Sequence, residues 1–173
     1  MTGRVVVVTG GSRGIGFAVA RLLLEHQAHV VAFSRNQAKL HTARQALPSL
    51  HIVEGGVATA GDLERLAQWL ARKWDRLDVL VNNAGVLPDD DGDLLGQPDD
   101  AFESTMRVNV FGPYLCTKRL APLLLKSDDP RVVNIGSSMG VLSQGLSGAY
   151  SVSKAALNAR PSPRPTCSGV ASP

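Results

Sequence analysis

Apolar and polar positions along the chain switch repeatedly between two periods. Arg4-Val5-Val6-Val7-Val8-Thr9 is β-branched and apolar at successive positions, the pattern of a strand buried on both faces of a parallel sheet. From Gly14 to Gln27 the apolar residues Ile15, Val19, Leu22, Leu23 and Leu24 recur at helical spacing. His29 to Ser34 predicts a second strand, Asn36 to Leu47 a helix stopped by Pro48, and Leu50 to Val53 a third strand. Asp62 to Trp74 carries Leu63, Leu66, Ala67 and Leu70 on one face, with Asp62 placed as an N-cap. Leu77 to Val81 predicts a fourth strand. A loop rich in Asp, Gly and Pro follows from Gly85 to Asp100. One long helix is predicted over Ala101 to Lys126 and a fifth strand over Arg131 to Ile135. A Ser/Gly-rich loop then leads to a helical start near Ala149. Strand and helix in this rhythm imply right-handed crossovers and a doubly wound parallel sheet, a three-layer α/β domain. No internal repeat interrupts it.

Composition agrees with one packed domain. The chain has 173 residues, 44% apolar and 19% charged, enough for a core and far from the composition of a disordered chain. Its net charge of +3 comes from 18 basic and 15 acidic side chains. Arg160 and Arg164 lie in a tail without acids, so the body is nearly neutral and nucleic-acid binding is not indicated. Cys116 and Cys167 have neither metal nor redox spacing. No apolar run reaches the roughly 18–20 residues that span a bilayer, and no secretory leader pattern precedes the first strand. The expectation is a soluble, cytoplasmic protein. Four of the ten prolines fall between Arg160 and Pro173, which predicts a disordered Pro/Ser-rich tail over 159–173 behind an ordered domain over 1–158.

The segment joining the first strand to the first helix reads Thr9-Gly10-Gly11-Ser12-Arg13-Gly14-Ile15-Gly16. Glycines there allow a sharp turn and let backbone N–H groups approach a pyrophosphate at a helix N-terminus. Within a strand–turn–helix context, such a string predicts dinucleotide binding. The residue ending the second strand discriminates between the two nicotinamide dinucleotides, because a carboxylate there accepts from a free ribose 2′-hydroxyl and repels a 2′-phosphate. Ser34 holds that place, Arg35 follows it, and no Asp or Glu occurs from His26 to Val53. Arg13 and Arg35 are suited to grip a phosphate with charge-assisted bonds, which favours NADP(H).

Tyr150 and Lys154 are four residues apart, so on a helix they share a face. A free phenol titrates near pH 10. An ammonium about 4 Å away favours the phenolate by up to roughly 4 kcal/mol at an effective dielectric of about 20. That pairing suits proton donation to a carbonyl oxygen near neutral pH.

Taken in order, T-G-x-x-x-G-x-G, Asn82-Asn83-Ala84-Gly85, Asn109, Ser137 and Tyr150-x-x-x-Lys154 resemble the short-chain dehydrogenase/reductase family over residues 1 to about 158. The finer likeness is to its NADPH-dependent carbonyl and 3-oxoacyl reductases. The resemblance implies a Rossmann-type fold and a carbonyl or alcohol substrate. It further implies a catalytic group in which Tyr150 is the acid, Lys154 its electrostatic partner and ribose ligand, and Ser137 the holder of the substrate oxygen. Asn109 would break its helix locally and position a water relaying protons to Lys154. The cofactor contacts implied are Gly10, Ser12, Arg13, Gly14, Ile15, Gly16, Ser34, Arg35, Asn83, Ala84, Gly85, Tyr150 and Lys154.

The chain departs from the family in two places. Gly56-Val57 stands where an Asp-hydrophobic pair usually meets the adenine. Beyond Asn158 the family continues through two more strands, a substrate-covering loop and another helix, and the Pro-rich tail does not resemble these. The single domain is therefore expected to lack its last strands, leaving the fifth strand at a sheet edge, the Tyr150 helix short and most of the substrate pocket absent. The family's dimer face uses a helix from that later part, so the resemblance alone does not imply a homo-oligomer here. Two readings remain: an NADPH-dependent reductase, or a catalytically inactive nucleotide-binding fragment or regulatory partner. No metal is expected. His26, His29, His41 and His51 lack ligand spacing, Asp89-Asp90-Asp91 lacks the Gly and Glu of a calcium loop, and Trp69 and Trp74 read as packing residues.

Overall fold

The structure is a computed structural model, and it describes residues 1–87, 96–141 and 148–159. The predicted tail and the triple-aspartate loop fall outside these residues, apart from Ala159.

Five strands form one parallel sheet: β1 (Val5–Thr9), β2 (His29–Ser34), β3 (His51–Glu54), β4 (Val79–Asn82) and β5 (Arg131–Asn134), in the order β3-β2-β1-β4-β5. The all-apolar run of β1 puts it at the centre, because only a central strand of a covered sheet needs apolar residues on both faces. Val5, Val6, Val7 and Val8 are all fully buried. β1 registers Val5 on His29 of β2 and Val6 on Val79 of β4. The strand order therefore reverses beside β1, the position at which open parallel sheets place a ligand crevice.

Successive β1 side chains point to opposite faces and so join two apolar layers. On one face Val6, Val8, Val30, Ala32, Val79 and Val81 meet Ala20 of α1 (Gly14–Glu25) and Leu40 and Ala43 of α2 (Gln37–Ala46). On the other, Val5, Val7, Val31, Phe33 and Leu80 meet Leu63, Leu66 and Leu70 of α3 (Ala60–Lys73). Cys116, Leu120 and Leu123 of α5 (Gly112–Leu124) complete that layer. Each fully buried Val or Leu contributes about 1.5–3 kcal/mol, so the predicted three-layer α/β architecture rests mainly on these two layers.

Below the sheet, Asp78 just before β4 ties three segments together. Its carboxylate accepts from the Val5 N–H at 2.7 Å, from Ser127 Oγ at 2.5 Å and from Arg76 Nε at 3.3 Å. Burial pushes this acid up, but the bonds from Ser127 and Val5 and the Arg76 charge outweigh it and hold Asp78 below the usual carboxylate range.

Three sequence expectations are corrected. The first helix stops at Glu25 because Gln27 takes a left-handed conformation (φ 61°) and Ala28 N–H returns to Leu23 O. Asp62 is not an N-cap: Thr59 holds that position, and the Asp62 carboxylate instead accepts the Gly56 N–H at 2.7 Å and pairs with Arg65. The single long helix is two, α4 (Asp99–Met106) and α5, joined by a π turn over Arg107–Phe111. Pro113, four residues after Asn109, has no N–H to return to the Asn109 carbonyl, so α-helical bonding cannot close there. Instead the Gly112 N–H donates to Arg107 O, five residues back.

Trp69 and Trp74 pack partly buried against the core, with ring centroids 5.7 Å apart. No helix of the described residues is long and apolar enough to cross a membrane.

Candidate active site

Thr9 ends β1 at the switch point and organises the turn that follows. Its hydroxyl accepts the backbone N–H groups of Asn83 and Ala84, both at 3.0 Å, and donates to Val81 O at 3.3 Å. The Asn83 amide returns to Thr9 O at 2.9 Å and to Gly10 O at 3.3 Å. Gly10 sits at φ +66° where a Cβ would lie 3.0 Å from Ala84 Cα, so only glycine lets the two loops touch. Gly14 sits at φ +55° and opens α1 with nothing within 4 Å of its missing side chain. The helix N-terminus therefore faces open space.

That space is a cleft of about 610 Å³ at the C-terminal ends of the strands. It gathers most of the expected cofactor residues: Gly10, Ser12, Arg13, Gly14, Ile15, Ser34, Arg35, Asn83, Ala84 and Gly85 all line it. Gly16 does not. It is buried in α1, where a Cβ would lie 2.6 Å from Gly10 O, and its role is to let the helix close onto the turn. Ser12 and Ser34 hydroxyls meet at 3.2 Å across the cleft floor. Ile15 is 65% exposed over the opening, an apolar surface suited to a ligand's covering. Val57, in the pair expected near the adenine, also lines the cleft, as do Asn36, Lys39, Gly55 and Val108, which the sequence did not point to. Lys39 had a legible signal, a cation in the first turn of a helix, where acids are favoured. Among the described residues no acidic side chain lines the cleft. A glycine cradle at a helix N-terminus, an acid-free wall and exposed cations fit a phosphorylated dinucleotide.

The expected catalytic residues are not in that cleft lining; they lie on the β5 side of the switch point. Tyr150 and Lys154 stand one turn apart on α6 (Gly148–Asn158). Lys154 is 5% exposed, and its ammonium donates to Ile135 O at 2.8 Å. It lies 5.6 Å from the Tyr150 ring centroid. The cation thus stands beside the ring, with a backbone carbonyl as its direct hydrogen-bond partner. Burial pulls the Lys154 ammonium below the usual lysine range. Ser137 caps a 3-10 turn over Ser138–Gly140, its hydroxyl accepting the Met139 N–H at 3.2 Å. A Cβ at Gly140 would stand 2.7 Å from the Lys154 carbonyl carbon, so this turn lies directly against α6.

Asn109, buried in the π turn, joins the two halves. Its Oδ1 accepts the Val86 N–H at 2.8 Å, and its Nδ2 donates to Val86 O at 2.9 Å and to Ser153 Oγ at 3.0 Å. Ser153 Oγ in turn donates to Tyr150 O at 2.7 Å. The Asn109 side chain is thus a clamp between the loop after β4 and α6. Asn82, 3% exposed, donates to Asn134 Oδ1 at 2.9 Å, while its own Oδ1 is buried with no partner among the described residues. Among the described residues no three His, Cys, Asp or Glu side chains converge as metal ligands, and burial pushes the Cys116 thiol up to about 12, outside nucleophilic use.

The parallel sheet, the switch-point cleft and the glycine cradle define a Rossmann-type dinucleotide-binding fold. A sequence profile of the short chain dehydrogenase family matches residues 4–160, and the chain belongs to that family. A curated relative, the rhamnolipids biosynthesis 3-oxoacyl-[acyl-carrier-protein] reductase of Pseudomonas aeruginosa, is 38% identical over 166 residues, covering 91% of this chain and 64% of its own length. A short chain dehydrogenase from Shigella flexneri, solved in complex with NADP, superposes with a TM-score of 0.86 at 30% identity, covering 91% of this chain and 68% of that one. The NADP complex of RhlG from Pseudomonas aeruginosa gives a TM-score of 0.83 at 37% identity, with 91% and 64% covered. The chain thus spans a little under two thirds of the length of the curated relative.

Proposed function

We propose that this chain binds NADPH in the switch-point cleft and carries the proton-donating group of a carbonyl reductase. The observation that carries this reading is the cation-lined cleft, free of acids among the described residues, joined through Asn109 and Ser153 to the helix of Tyr150 and Lys154. When bound, NADPH supplies the hydride. Arg13 and Arg35 hold the 2′-phosphate, and the backbone around Gly14 and Ile15 receives the pyrophosphate. Asn83, Ala84 and Gly85 form the wall nearest β4.

The Tyr150 hydroxyl donates its proton to the carbonyl oxygen as the carbonyl carbon is reduced, and takes the proton back in the oxidative direction. Lys154, buried beside the ring, supplies positive charge that favours the phenolate left behind, and binds ribose hydroxyls with its remaining N–H donors. The Ser137 hydroxyl holds the substrate oxygen. Asn109 acts in two ways: its side chain clamps α6, and its backbone carbonyl, turned out of α-helical register by the π turn, anchors the relay water. The substrate is a small carbonyl compound or the corresponding alcohol.

The test is NADPH oxidation by the purified chain with a panel of small ketones, aldehydes and 3-oxoacyl thioesters, for wild type and Tyr150→Phe. Turnover in the wild type that falls about 10²–10⁴-fold in the variant, with NADPH affinity kept, supports the proposal. NADPH binding without turnover on any of these substrates contradicts the catalytic part.

A further inference from the structure

We propose that Lys39 is a third anchor for the 2′-phosphate and helps select NADP(H) over NAD(H); this rests on the cofactor reading above. Arg13 enters the cleft from the turn after β1, and Arg35 from the end of β2. Lys39 enters from the first turn of α2. These three cations come from three different elements, and all line one cleft that no carboxylate of the described residues lines.

Arg4, Arg65, Arg76, Arg119 and Lys126 each pair with an Asp or Glu, whereas the cations that line the cleft are held by no acid of the described residues. Among the described residues Arg13, Arg35 and Lys39 have no ion-pair partner. The Ser12–Ser34 hydroxyl pair lines the same cleft and offers further donors to a phosphate oxygen.

The position of Lys39 within α2 strengthens the case. Asn36 caps this helix by accepting the Lys39 N–H at 2.9 Å. The lysine backbone is therefore fixed while its ammonium is left to reach into the cleft. A cation in a first helical turn opposes the helix dipole, so Lys39 works against the stability of its own helix. An anion carrying nearly two negative charges, such as a phosphomonoester, reverses that sign. The same residues would recognise any ligand with a phosphomonoester near an adenosine, so 2′,5′-ADP and 5′-AMP serve as probes that differ only in the 2′-phosphate and need no catalysis.

The experiment is calorimetric titration of wild type, Lys39→Gln and Lys39→Arg with 2′,5′-ADP and with 5′-AMP, each at low and high salt. Far-UV circular dichroism confirms the fold. Lys39→Gln is expected to weaken 2′,5′-ADP about five- to tenfold, to leave 5′-AMP unchanged and to flatten the salt dependence. Lys39→Arg restores most of the affinity. Wild type that prefers 2′,5′-ADP while Lys39→Gln keeps that preference intact overturns the assignment of Lys39 and leaves the cofactor reading standing. Wild type that binds both probes equally overturns the NADP reading itself, and the Lys39 assignment with it.

Discussion

The turn after β1 and the turn after β5 sit at the same end of the sheet but are held by different means. The first leaves a central strand whose valines are fully buried, and it is locked by Thr9, Asn83 and Gly10 in a closed set of backbone contacts. The second leaves the last strand in the sheet order. Val133 of β5 is 44% exposed, and α6 has only eleven residues. An isolated helix of that length is marginal in water. What holds α6 are a few specific bonds: Lys154 to Ile135 O, Asn109 to Ser153, and the close approach of Gly140. The proposed nucleotide cleft is thus built into the core of the fold, whereas the proposed proton-donating group is attached to its rim. The two properties are separable, and perturbations of one half should spare the other.

The largest contrast is expected in the cores. Leu66→Ala removes a fully buried side chain of α3 and should cost about 2–5 kcal/mol. Val133→Ala on the exposed edge should cost less than about 1 kcal/mol. Urea unfolding of both variants checks this, and equal losses would refute the assignment of a stable centre and a weakly held rim.

A middle-sized effect is expected at Asp78. Its folded pKa lies below its unfolded value, so its stabilisation is fully present above about pH 4–5 and is lost as pH falls through the folded pKa. Asp78→Asn should cost about 1.5–3 kcal/mol at pH 7 and remove part of the acid-induced loss. Denaturant midpoints at pH 7 and pH 3 measure both.

The smallest effect isolates the rim. Ser153→Ala deletes the hydroxyl that links Asn109 to Tyr150 O and should cost about 1 kcal/mol. Amide hydrogen exchange should speed up in α6 while β1 stays protected. Uniform acceleration across the sheet would instead mean that α6 and the core open together.

Legibility in the sequence follows the same division. The valine run, the glycine string and the period switches reveal the centre because each needs only local chemistry. The spacing of Tyr150 and Lys154 reveals that they share a helix face, but not that the Lys154 ammonium turns to Ile135 O, since that carbonyl lies just past the end of β5, nineteen residues earlier. Asp62 looks like a cap because an acid before an apolar run usually is one; its true partner, the Gly56 N–H, is set by how the β3–α3 loop folds back. Apolar spacing runs unbroken across the π turn; its legible signals are Pro113 and the local break at Asn109 that the family resemblance implies, which the structure places in Arg107–Phe111. Lys39 stands out in the sequence only as a cation in a first helical turn; that it reaches the cleft follows from the packing of α2 beside the switch point.

The central claim, that the turn after β1 grips a 2′-phosphorylated nicotinamide dinucleotide, is tested most directly by parallel fluorescence titrations of wild type and Arg35→Asp with NADPH and NADH. The account predicts tighter NADPH binding by the wild type and a shift towards NADH in the variant. No binding of either dinucleotide, or an unchanged preference in Arg35→Asp, would contradict it.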